Sequence, residues 1–449
     1  MATRLIRNAR IVNEGAIHEA DILISGGRIE KIASSIDART EWQILDADGK
    51  HVLPGMIDDQ VHFRQPGATH KGDIASESAA AVAGGITSFM DMPNVNPPTL
   101  NADRLEEKYR MAAGSARANY GFYLGASNGN IDDIQKLKPN QACGVKVFMG
   151  ASTGNMLVDD PEALNAIFAR CPVPVVTHCE DTPTIQANER HFRNLHGDNV
   201  PMAMHPHIRS ADACYMSSSL AVELANQHHA RLHVLHLTTA REMTLFSDAP
   251  LAEKRITAEV CVHHLFFDDS DYASKGTLIK CNPAIKTDAD RQALLRAVME
   301  NRIDVIATDH APHTWEEKHQ SYFEAPAGLP LVQHALLSLL QQYHMDRLTL
   351  PVIAEKTSHA PARIFGIPDR GFIREGCWAD LVIVDLETPF TVTKRNILYK
   401  CGWSPFEGYK FRSSIATTFV NGEPAYHNGH VLQGIFGQRL QFDNFEARG

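Results

Sequence analysis

The sequence predicts an α/β protein, a (β/α)8 TIM-like barrel with a small β-sandwich formed by both chain termini. Three observations predict it. Through the middle of the chain, short apolar runs rich in β-branched residues alternate with helix-like stretches, the rhythm of a parallel sheet. At both ends, period-two segments carry glycine and Asn-Gly turns. Polar residues with metal and proton chemistry stand where the central apolar runs stop, as active groups do at the C-terminal strand ends of a barrel.

The elements follow in order. Residues 4–52 hold "RLIRNARIV", then "DILISGGRIEKI" around Gly26-Gly27, then "WQILDADGKHVL" with its Asp48-Gly49 turn. The last ninety or so residues resemble them, with "ADLVIVDL" at 379–386 and "IATTFVNGEPAY" at 415–426. Between these β segments, candidate strands are 57–62, 86–91, 119–125, 144–149, 173–178, 232–237, 256–261 and 303–308. Helices are expected in "DIASESAAAVAGG", "ADACYMSSSLAVELANQHH" and "DRQALLRAVMEN". The expected division is 1–53 and 361–449 for the sandwich and 54–360 for the barrel. A doubly wound open sheet is the rival, but no GxGxxG follows the early strands.

Bulk properties narrow the function. Of 449 residues, 44% are hydrophobic and 21% charged, as in an ordinary globular protein. A formal charge of -10 offers no basic surplus for nucleic acid. No apolar run reaches the roughly 18 residues of a membrane helix, and "MATRLIRNARIV" reads as a strand instead of a signal peptide. Eight scattered cysteines without a CxxC pair suit reduced thiols, so a cytoplasmic location is expected.

The informative residues are the polar ones at the strand ends. The first central strand ends at Gln60-Val61-His62, the fourth contains Lys146, the fifth ends at His178 and the sixth at His236. The eighth runs into "TDHAPH", with Asp309, His310 and His313. Each has an ordinary explanation: a satisfied core histidine, a lysine turned to solvent, an aspartate capping a helix. Such explanations falling independently at matching strand ends are less economical than one shared metal site. Imidazole and carboxylate suit zinc and similar ions. A buried ammonium beside cations is costly, but a lysine carboxylated by carbon dioxide is an anion that can bridge two metals. A metal lowers the pKa of a bound water toward neutrality, and an aspartate beside it can pass a proton to a departing nitrogen.

In order along the chain, "GMIDDQVHFRQPG", "GGITSFMDMPNVNP", "GVKVFMG", "VVTHCED", "VLHLTTA", "AEVCVHHL", "KCNPAIK" and "ATDHAPHTWEEK" resemble the signatures of the dihydroorotases of the amidohydrolase superfamily, class I-like. So do "EGCWADLVIVD" and "GWSPFEG". The resemblance implies reversible cyclisation of N-carbamoyl-L-aspartate to L-dihydroorotate, with Asp309 as proton shuttle. It implies one or two Zn2+ ions and an N6-carboxylated Lys146. Arg64, Asn94, Asn282 and His313 resemble the family's substrate contacts, and a guanidinium such as Arg64 can clamp a carboxylate bidentately. "CNPAIK" has Lys286 where the family commonly has arginine, and His263 and His264 match a block of the family without being expected ligands. Residues 311–330 form a long polar loop, expected as a lid or substrate wall.

One position departs from the pattern. The family's HxH motif reads Gln60-Val61-His62 here. By the resemblance, the β metal keeps Lys146, His178 and His236, while the α metal keeps His62, Lys146 and Asp309 with Gln60 as a weak or absent ligand. An amide carbonyl is a poorer zinc ligand than imidazole. The expected protein is an active enzyme with an altered α site, acting on a small molecule as a homo-oligomer, dimer or tetramer, without membrane or nucleic-acid partners. Two alternatives stand beside it. One is a hydantoinase- or allantoinase-type cyclic amidohydrolase; the other is a noncatalytic partner of aspartate transcarbamoylase.

Overall fold

The structure, a computed structural model, describes residues 2–150 and 156–446. The first strands are β1 (Arg4–Asn13), β2 (Ala16–Ser25), β3 (Arg28–Ala33), β4 (Gln43–Asp46) and β5 (His51–Pro54). After the barrel come β15 (Leu381–Asp385), β16 (Phe390–Thr391), β17 (Lys410–Phe411), β18 (Ser414–Val420), β19 (Glu423–His427) and β20 (His430–Val431). The two ends of the chain meet on β5. It runs parallel to β1, with Ile11 beside Val52, and antiparallel to β15, with Ile383 beside Val52. One nine-stranded sheet results, in the order β20-β19-β18-β15-β5-β1-β2-β3 with β4 on β1. Ile6, Ile11, Ile22, Ile24, Val52, Leu381, Ile383 and Phe419 pack together on it as a sandwich-like core. Alternation supplied these apolar residues from both termini, and neither end buries its face without the other.

The barrel strands are β6 (Met56–Val61), β7 (Ile86–Asp91), β8 (Asn119–Phe122), β9 (Leu124–Gly125), β10 (Val145–Phe148), β11 (Val175–His178), β12 (Leu232–Val234), β13 (Ile256–Cys261) and β14 (Val305–Ala307). Tyr123 interrupts the third barrel strand, giving two parallel sheets, β6-β7-β8 and β9-β10-β11-β12-β13-β14. The ring closes where Val61 bridges His310 in parallel and the His62 amide donates to the His310 carbonyl at 2.7 Å. Local chemistry sets the helices. Ile74–Ala83 starts at a reciprocal Asp73–Ser76 cap and stops at Gly84, before Gly85 at φ +84°. Ala211–His228 starts at Ser210 and ends at His229, in the left-handed region. No helix among the described residues is long and apolar enough to cross a membrane.

Several strands are shorter than the apolar runs suggested. β12 ends at Val234, two residues before His236, because the His236 amide donates to the Glu259 carboxylate at 3.0 Å instead of to a neighbouring strand. β14 likewise ends at Ala307, two residues before Asp309.

Candidate active site

The C-terminal ends of the barrel strands open into a cleft of about 540 Å³ lined by Gln60, His62, Arg64, Asn94, Lys146, Phe148, His178, His236, Asn282, Asp309, Ala311, Ala327 and Gly328. Nine of the ten residues singled out from the sequence therefore share one cavity. The tenth, His313, stands behind Arg64, with its Nε2 3.0 Å from an Arg64 terminal nitrogen. Three cleft residues adopt left-handed backbone, Arg64 at φ +67°, His236 at +39° and Asp309 at +51°. Such conformations cost about 1–3 kcal/mol each and persist where surrounding structure enforces them. Here they turn side chains into the mouth just where the strands end.

On one side are His178 and His236. His178 Nε2 lies 3.0 Å from a Glu180 carboxylate oxygen, which also accepts from Arg209 at 2.6 Å. Burial raises the Glu180 carboxyl, but Arg209 and then His178 outweigh it, and its pKa falls to about 2. The ionised Glu180 accepts a hydrogen bond from His178 Nε2–H, which leaves Nδ1 of the neutral ring with a bare lone pair. That Nδ1 is 2.9 Å from His236 Nε2. Burial lowers both imidazole pKa values, so both rings are neutral at pH 7.

On the other side His62 Nδ1 donates to the Asn94 carbonyl oxygen at 2.8 Å, and His62 Nε2 sits 3.1 Å from Asp309 Oδ1. Burial raises the Asp309 carboxyl, yet the adjacent His62, with His263 and Lys146, holds it below the usual carboxylate value. Lys146 is buried over the Phe148 ring, with Nζ 4.7 Å from the centroid. Burial pushes its pKa down to about 8, against the opposing pull of the Asp309 and Glu259 carboxylates. Alternation along β10 put Lys146 and Phe148 on the same inward face.

This donor set fits a divalent cation. Two ligands of one tetrahedral zinc, at 2.0–2.2 Å each, stand roughly 3.3 Å apart. The His178–His236 and His62–Asp309 pairs, at 2.9 and 3.1 Å, approach that spacing. Gln60 is almost fully buried, and its carbonyl oxygen lies 3.7 Å from the Cys261 thiol.

Arg64 Nε donates to the Pro312 carbonyl at 3.0 Å, and burial lowers its pKa to about 10, so it stays cationic at neutral pH. Behind it, His313 donates to the Ala327 carbonyl and accepts from Lys71 at 3.1 Å. Asn282 Oδ1 is buried without a hydrogen-bond partner among the described residues. The 311–330 loop is a pinned wall. The Lys318 ammonium donates to the carbonyls of Lys280, Pro326 and Gly328 at 2.9–3.1 Å. His263 and His264 are buried with their ring centroids 4.0 Å apart and the rings tilted at 44°, outside the cleft lining.

Sequence reasoning missed Glu180, Arg209, Lys71 and Lys318. Glu180 carried a signal, a carboxylate two residues after a strand-end histidine. The others lie in loops or short helices with no pattern to mark them.

Comparison with known proteins agrees with this geometry. The chain is 34% identical over 441 residues to a dihydroorotase of Halobacterium salinarum, covering 98% of this chain and all of that one. It is 31% identical to a dihydroorotase of Methanothermobacter thermautotrophicus, over 96% and 95% of the two chains. An allantoinase of Bacillus velezensis is 30% identical over 97% of each. The L-hydantoinase (dihydropyrimidinase) of Arthrobacter aurescens superimposes with a TM-score of 0.93 at 27% identity, covering 98% of this chain and 100% of that one. Residues 51–425 match the Amidohydrolase family. With a barrel, a cleft of histidines, lysine and aspartate, a family match over residues 51–425, and full-length relatives named dihydroorotase and allantoinase, this chain belongs to the amidohydrolase family.

Proposed function

We propose that this protein is a dihydroorotase, interconverting N-carbamoyl-L-aspartate and L-dihydroorotate. The observation that carries the reading is Arg64. It is a cation in the cleft lining, with His313 and Lys71 beside it, and suited to a carboxylate substituent on the ring. Asn94 and Asn282 line the same cleft. His62, Lys146, His178, His236 and Asp309 would hold one or two zinc ions, Lys146 in its carboxylated form, with Gln60 as a weak or absent ligand. When bound, such ions polarise the ring carbonyl and lower the pKa of water.

The chain's own groups perform the rest. The Asp309 carboxylate, ionised at neutral pH, accepts the proton of the attacking water and delivers it to the ring nitrogen as the C–N bond breaks. Ring closure runs the same transfers backward. The Lys318-pinned wall, through Ala327 and Gly328, keeps bulk water from one side of the cleft.

A ring hydrolase without a carboxylate requirement is the second reading, favoured by the allantoinase likeness. Steady-state assays on L-dihydroorotate, allantoin and hydantoin separate them. Dihydroorotate turnover is expected, with Arg64→Ala raising KM by at least about 30-fold, the equivalent of losing one partner of a buried charge pair at about 2 kcal/mol. Turnover of allantoin or hydantoin alone, with KM indifferent to Arg64, refutes the proposal.

A further inference from the structure

One layer below the cleft, inside the barrel, Asp59 of β6, His233 of β12 and Glu259 of β13 point their ligand atoms at a common spot. All three side chains are fully buried. Apolar groups surround them: the Phe365 ring lies 5.6 Å from the His233 ring, and Phe365, Ile57, Val176 and Leu235 belong to one core cluster.

The hydrogen bonds around the cluster leave unpartnered ligand atoms at its centre. The Thr257 hydroxyl donates to the Leu232 carbonyl at 3.2 Å, so at its other contact, 2.8 Å from His233 Nδ1, it accepts. His233 Nδ1 therefore carries a proton, which leaves Nε2 as the ring atom that can lose its own proton and offer a lone pair to a cation. That nitrogen faces Asp59 Oδ2 at 3.1 Å and Glu259 Oε2 at 3.6 Å. Neither contact is aligned as a hydrogen bond. Among the described residues, His233 Nε2, both Asp59 oxygens and Glu259 Oε2 are buried without a hydrogen-bond partner. Two carboxylates converging in an apolar interior require a positive charge among them. Burial lowers the His233 pKa, but without an ion the carboxylates outweigh it and hold the imidazole protonated, with its pKa raised to about 9. A divalent cation would displace that proton and supply the charge in its place.

We propose that Asp59, His233 and Glu259 form a structural cation site within the barrel, distinct from the cleft above, that takes a divalent ion of the zinc class. The spacings of 3.1 and 3.6 Å bracket the roughly 3.3 Å between two ligands of a tetrahedral zinc. His233 Nε2, Glu259 Oε2 and the two Asp59 oxygens supply four donors, enough to close the coordination without water. The double negative charge of the carboxylates balances the ion. An imidazole with two carboxylates suits zinc or manganese better than calcium or copper(I).

The site bears on the cleft through Glu259. Its other oxygen accepts the His236 amide at 3.0 Å, the bond that ends β12 and sets the left-handed turn of His236. An ion holding Glu259 would thus make it and Asp59 positioning groups for His236 and for the neighbouring Gln60.

The test uses the full chain, purified and equilibrated with Zn2+ alone, then crystallised and measured above and below the zinc absorption edge. An anomalous peak within about 2.0–2.2 Å of His233 Nε2 and the two carboxylates is expected. In Asp59→Asn, with circular dichroism as the fold control, the peak should vanish and bound zinc fall by one equivalent per chain. Wild-type crystals with no peak at this position overturn the proposal, whether or not the cleft holds zinc. So does an Asp59→Asn protein with unchanged zinc content. If Asp59→Asn does not fold, the wild-type anomalous map decides alone. Activity enters none of these readouts, so the result stands apart from the proposed reaction.

Discussion

Lys146 should react with carbon dioxide near neutral pH, and the dependence on pH can be worked from its surroundings. Burial drives its pKa down to about 8, with Asp309 and Glu259 pulling the other way. An amine of that pKa is neutral in about one molecule in ten at pH 7, against about one in 2,500 for an ordinary lysine near 10.4. Only the neutral amine forms a carbamate. At fixed dissolved carbon dioxide, carboxylation of the metal-stripped protein should quicken about fivefold from pH 7 to 8 and by no more than about twofold above that. The carbamate signal from 13C-labelled carbon dioxide, followed by NMR with Lys146→Ala as the blank, measures it. A rate that keeps climbing tenfold per pH unit past pH 9 refutes the reasoning. The same shift has a stability sign. The folded-state pKa lies below the unfolded value, so the native state binds fewer protons between about 8 and 10.4. The stabilisation tied to the neutral amine is complete above about 10.4 and is lost as pH falls through about 8, a swing of about 3 kcal/mol in the metal-free protein.

Other changes test other parts of the site. Asp309→Asn should lower kcat by about 10²–10⁴-fold with the fold intact by circular dichroism, and near-normal turnover would remove Asp309 from the proton path. Arg209→Met leaves Glu180 without its cation and should weaken zinc binding by about 10–100-fold in chelator competition; an unchanged Kd counts against Glu180 as the group that orients His178. Lys318→Met strips donors from the carbonyls of Lys280, Pro326 and Gly328. It should cost about 1–3 kcal/mol in denaturant unfolding, the penalty of a buried acceptor left without its donor, and speed amide exchange in residues 320–330, and unaltered exchange there would show that the loop does not depend on this latch. Gln60→His should raise the zinc bound per chain, and equal zinc in both proteins would show that position 60 does not limit loading.

Much of the fold was legible because periodicity reports burial directly. The run from Ile86 to Asp91 is a barrel strand at the expected bounds, and Lys146 faces inward with Phe148 because β10 alternates. Strand ends were less legible. The run through His236 continues apolar to Leu237, yet pairing stops at Val234, since a carboxylate from the next strand captures the His236 amide. Glu259 sits far along the chain, and no local pattern in "LHVLHL" announces it. Lys71 and Arg209 escaped notice for the same reason. Each acts through a partner more than 25 residues away, His313 and Glu180 respectively.

The sequence by itself determined the barrel with β segments at both ends, the inward face of each strand, and the chemical types standing at the strand ends. These depend on period and residue type, which are local. Only the tertiary structure decided that β5 joins the two termini, that Asn94 and Glu180 set the proton positions on His62 and His178, and that His313 braces Arg64 from behind the cleft. It also decided that Asp59, His233 and Glu259 meet. They lie on three strands separated by up to 200 residues, and closure of the ring alone brings their side chains into one buried layer.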